Sequence, residues 1–110
     1  MRFADKTTIY IPTSLCQHSH VVRKLVDAVT KSVGGCSSAQ VTGQYVTKEG
    51  RVCEEDVTCF SWWQPAGGWV DLIELIRFMI KSGEECVLVE YVRYGHGEWA
   101  ELMYASDVGL

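Results

Sequence analysis

Cys16, His18 and His20, in the run Cys-Gln-His-Ser-His ahead of an apolar-periodic segment, form the cluster most like a metal site or an activated thiol. A thiolate and two imidazoles suit zinc or another borderline metal. Three ligands so close in sequence need a distant fourth, for which Cys36 and His96 are the applicants. The same thiol beside a histidine at a helix start is a candidate nucleophile, but no third group orients the base. Two solvated histidines around a helix cap need none of these coincidences, and no metal or cofactor is expected.

Glu90 is the second chemical candidate, because it interrupts the apolar run VLVEYVRY. A carboxylate on a covered face can serve as a general base with a raised pKa. Paired with a cross-strand cation, or set at a wet rim, it does no chemistry, and that plainer reading is the expectation. Glu54-Glu55-Asp56 reads as a solvated edge that discourages sheet-to-sheet pairing. Gly34-Gly35 and Gly67-Gly68 are only pairs, and neither extends to G-x-G-x-x-G or a P-loop.

Composition narrows the function classes. A net charge of −4 with scattered Lys and Arg argues against nucleic acid or anionic lipid as partner. The start of the chain has no apolar run long enough for a secretory signal, and no stretch approaches the roughly 18 apolar residues of a membrane span. A cytoplasmic address follows as the expectation. Five cysteines without a C-x-x-C pair read as reduced thiols.

These groups must be positioned by a small set of elements. Thr7 to Thr13 reads as a strand closed by Pro12, and Ser14 to Ser19 as a loop. Val22, Leu25, Val26, Val29 and Val33 recur at helical spacing, with Ser19 as N-cap and Gly34-Gly35 as the stop. Two strands follow, Ala39 to Val46 and Val52 to Trp63, joined by a turn at Gly50. A second helix is expected from Trp69 to Ser82, then a strand to Tyr94 and a hairpin partner from Glu98 to Tyr104. The order β-α-β-β-α-β predicts an α+β, ferredoxin-like two-layer sandwich with an added C-terminal hairpin strand, with residues 1–110 as one domain.

The I-Y-I-P-T opening, the helix ending in Gly-Gly and the late VLVEY strand resemble small uncharacterised ferredoxin-like proteins of bacteria, plasmids and phages. That resemblance implies a fold and a link to mobile elements. It carries over no functional residue.

Three of the four tryptophans fall within eight positions, around a Gln-Pro-Ala-Gly-Gly break. Trp62 and Trp63 are adjacent on a strand, so only one of them can enter the core. The last strands are apolar on both faces, whereas two helices shelter one. A second copy over the open face is the expected cover, with the tail YASDVGL or an apolar ligand as the other candidates. Trp62, Trp63, Trp69, Glu90, Tyr91, Tyr94 and Trp99 are the residues expected to line a ligand site or an interface. The leading expectation is a non-enzymatic, self-associating homodimer that binds protein, such as a small acidic inhibitor or adaptor of a bacterial or phage system. The alternatives are a protein that sequesters a small molecule (nucleotide or metabolite), and a small enzyme using Glu90 or the Cys16/His18/His20 cluster.

Overall fold

Strand alternation divides the chain between two faces of one sheet. A computed structural model describes residues 2–110. The strands are β1 (Asp5–Pro12), β2 (Ser37–Val46), β3 (Val52–Gln64), β4 (Val87–Arg93) and β5 (Gly97–Met103). The helices are α1 (Thr13–His18), α2 (His20–Val33) and α3 (Ile73–Lys81), and a short 3-10 turn covers Ala105–Val108. The architecture is a mixed α+β globule with an antiparallel five-stranded sheet in the order β2-β3-β1-β4-β5. This order differs from a simple four-stranded ferredoxin sheet by its added edge strand.

The core lies between the helices and one sheet face. Ile9 and Ile11 of β1, Phe60 and Trp62 of β3, and Val87 and Val89 of β4 meet Val22 and Val26 of α2 and Leu75, Ile76 and Met79 of α3. Helix α2 forms as its periodicity predicts. The Ser19 hydroxyl accepts from the Val22 amide at 3.3 Å, and Gly34 ends the helix in the left-handed region at φ 111°.

Three expectations need correction. Thr13–His18 is helical where a loop is predicted, because Leu15 and Cys16 pack on the core and Ser19, in extended backbone, separates the turn from α2. Helix α3 starts at Ile73 rather than Trp69. Val70 and Leu72 are already buried from a non-helical segment, and the Asp71 carboxylate accepts from the Ile73 amide at 3.1 Å. The tail runs to the helix side and does not cover the open face. Val108 is buried beside α3, and its carbonyl accepts from Arg77 Nε at 2.6 Å.

The adjacent tryptophans take opposite fates. Trp62 is completely buried, and its Nε1 donates to Thr30 Oγ1 at 3.1 Å, while Thr30 donates onward to the Val26 carbonyl at 2.8 Å. Trp63 is 44% exposed on the other face. Trp62→Ala is expected to lower the unfolding free energy by about 3–5 kcal/mol. Trp63→Ala should cost well under half as much, and urea titrations of the two variants check the contrast.

Asp5 fastens both loops at one end of the sheet. Its carboxylate accepts from the Tyr94 amide at 2.8 Å and the Gly67 amide at 3.0 Å. The Tyr94 bond is the main reason its pKa lies below the ordinary 3.8, against an opposing effect of burial; the Gly67 bond and Arg93 act in the same direction as Tyr94. A carboxyl depressed in the fold stabilises above its unfolded value, and that contribution is lost as pH falls through the folded one. Thermal melts from neutral pH down to about pH 2 should therefore show the gap between wild type and Asp5→Asn closing at the acid end.

Candidate functional site

Cross-strand partners share a face, so the register shows which side chains meet. On the face without helices, Thr8 of β1 lies between Ser61 of β3 and Glu90 of β4. Lys6 lies between Trp63 and Val92 in the same way, and Tyr10 is opposite Cys59. From β5, Ala100 pairs with Glu90 and Glu98 with Val92. Lys6, Thr8, Glu90, Val92, Glu98 and Ala100 line an open hollow of about 260 Å³, to which Tyr91 and Trp99 also contribute.

Polar chemistry concentrates here. The Thr8 and Ser61 hydroxyls, both buried, are 2.8 Å apart. The Lys6 ammonium sits 5.4 Å from the centre of a Trp63 ring, a cation–π distance. Glu90, half-buried, faces Tyr10, and chiefly through this carboxylate the Tyr10 phenol is pushed up to about 12, with burial adding to the effect. A carboxylate with a phenol and an ammonium nearby can hold a cation, orient a hydroxyl or accept a proton.

Of the other anticipated residues, Tyr91 and Trp99 border the hollow, and the rest do not join this group. Trp62 is sealed in the core. Tyr91 and Trp99 stack on the opposite face with centroids 5.3 Å apart, and Arg93 lies 5.0 Å from the Tyr91 ring. Trp69 is 79% exposed in the loop before α3, and Tyr94 is exposed just past β4. Cys16 is half-buried on α1, and burial raises its thiol pKa. His18 and His20 are exposed, and among the described residues no group of three or more His, Cys, Asp or Glu is placed to hold a metal. All five cysteines are free thiols.

Sequence reasoning singled out Glu90 but not Lys6, Thr8, Tyr10, Ser61 or Glu98. The signal was available in part, since Lys6, Thr8 and Tyr10 are the polar phase of a strand whose other phase is Ile9 and Ile11.

No family model matches the chain, and no curated protein matches it. Among solved structures, the chain is similar to a phage SAM lyase in complex with S-methyl-5'-thioadenosine. The match has a TM-score of 0.57 and 15% identity, and it covers 93% of this chain and 94% of that one. The likeness is one of fold. It agrees in coarse form with the expected link to phage proteins. It goes against the expected non-enzymatic inhibitor or adaptor, because the protein sharing this architecture is an enzyme. The expectation of a non-enzymatic binder is set aside on that ground.

Removing the carboxylate should release Tyr10. In Glu90→Gln, ultraviolet titration of the phenol, identified by difference against Tyr10→Phe, is expected to move down from about 12 toward the ordinary 10.0.

Proposed function

We propose that this chain is a small enzyme that breaks a carbon–sulfur bond of S-adenosylmethionine or a closely related sulfonium nucleoside, on a scaffold whose β2-β3-β1-β4 portion is ferredoxin-like. The observation that carries the proposal is the fold shared along 93% of the chain with a phage SAM lyase. The open face supports it through its charges. A substrate of this kind bears a sulfonium, an ammonium and a carboxylate. The hollow offers Glu90 and Glu98 for the cations and Lys6 for the carboxylate, with the Trp63 ring alongside as a surface for an aromatic base.

The chemistry asks little of the protein. As the bond between sulfur and the amino-acid side chain breaks, its electron pair goes to sulfur and an oxygen of the substrate's own carboxylate bonds to the carbon left behind. The products are a lactone and a neutral thioether that needs no acid in order to leave. Catalysis then rests on holding the substrate in its reactive geometry and excluding water. This accounts for a site without a nucleophile–base pair. Glu90, fixed between Thr8 and Ala100 and beside Tyr10, is the positioning charge.

Purified protein incubated with S-adenosylmethionine is expected to release S-methyl-5'-thioadenosine, measured by chromatography with mass detection. Glu90→Gln should lower kcat/KM by about 10–100-fold, the usual weight of a hydrogen bond or contact to a charged group. Release no faster than in protein-free buffer would overturn the proposal.

A further inference from the structure

The outer edges of the sheet are not treated alike. Strand β5 carries Glu98 and Glu101. β3 runs past β1, whose pairing stops at Val57, and the part left unpaired on that side holds Glu54, Glu55 and Asp56. Charges of this kind keep open edges from pairing with other chains. Strand β2, SSAQVTGQYV, has no charge in ten residues and no proline, and its side chains are exposed along nearly its whole length. Beyond Val57 it forms with β3 a two-stranded ribbon that leaves Tyr45, Val46 and Val52 51%, 67% and 68% exposed. A two-stranded ribbon is marginal alone.

The backbone geometry says how this edge would be completed. The Thr47 amide donates inward to the Arg51 carbonyl at 2.8 Å, so odd-numbered residues of β2 bond to β3. The amides and carbonyls of Ser38, Gln40, Thr42, Gln44 and Val46 therefore point outward. An antiparallel copy of β2 with its two-fold axis at Thr42 uses all five, with about ten main-chain hydrogen bonds. In that register Gln40 faces Gln44 of the second copy, Val41 faces Gly43 and Ala39 faces Tyr45. Amide meets amide, and each large apolar side chain lies opposite a small one. The strand is complementary to itself.

We propose that a second copy of this chain docks on β2, joining two five-stranded sheets into one through an isologous edge. This surface lies at the opposite end of the sheet from the Glu90 hollow, so it stands independently of the proposed activity.

The test is solution mass by light scattering at micromolar concentration, on three full-length chains. Wild type is expected at the mass of two chains. Gln40→Lys with Gln44→Lys sets like charges opposite each other and should weaken association by about 100-fold or more. Gln40→Glu with Gln44→Lys makes opposite charges meet across the axis, leaves the lysine beside Glu54 of its own chain, and should restore the dimer. The same two positions change in both variants, so a folding defect is distinguished from repulsion. A wild type of one chain's mass, or of any assembly other than two, overturns the proposal. So does a double-lysine variant that associates like wild type, or a charge-paired variant that dissociates like the double-lysine one. Amide hydrogen exchange adds a direct reading: slow exchange at Gln40, Thr42 and Gln44 supports the pairing, and exchange at free-edge rates refutes it.

Discussion

The structure depends on β1 being held on both sides. It pairs with β3 along its whole length and with β4 from Lys6 to Ile9, so its side chains have only two destinations. Ile9 and Ile11 go under the helices and are completely buried. Lys6, Thr8 and Tyr10 go to the other face, where β3 and β4 bring Ser61, Trp63 and Glu90 to them. One strand thus anchors the core and collects the site. A slip of one residue in its register would exchange the two sets, burying a lysine and wetting two isoleucines.

The ends of this arrangement are fixed by polar contacts rather than by apolar area. Asp5 holds the Gly67 loop and the start of the Tyr94 turn through backbone amides, and Arg93 donates to the Thr7 hydroxyl at 2.9 Å and the Lys6 carbonyl at 3.1 Å. The Gly-Gly break follows from this. Gly67 adopts φ 81°, and a side chain at Gly68 would come within 2.8 Å of Gln64 Cβ. The three tryptophans around that break have separate roles. Trp62 fills the core, Trp63 shields Lys6, and Trp69 stands in solvent.

The open face combines apolar and ionic surface, which reconciles two readings of it. Trp63, Leu102 and Val41 leave apolar area exposed there. Among them sit Lys6, Glu90 and Glu98, a charge set suited to a zwitterionic or cationic small molecule. Missing catalytic signatures pointed sequence reasoning to a binder. A substrate that carries its own leaving group requires few such signatures, so their absence is weak evidence against catalysis.

The sequence determined what depends on neighbours along the chain. Helix α2 with its Ser19 cap and Gly34 stop, the Gly50 hairpin, the split between Trp62 and Trp63, and the oddness of Glu90 all follow from local chemistry and period-two or period-three-to-four spacing. Tertiary structure decided whatever needed a partner from far away. The tail chose α3, the segment before α3 stayed non-helical while Val70 and Leu72 found the core, and Glu90 met Tyr10 across 80 residues. Such pairs are fixed by which strands lie side by side, and strand order is a property of the whole packed sheet that no single segment encodes.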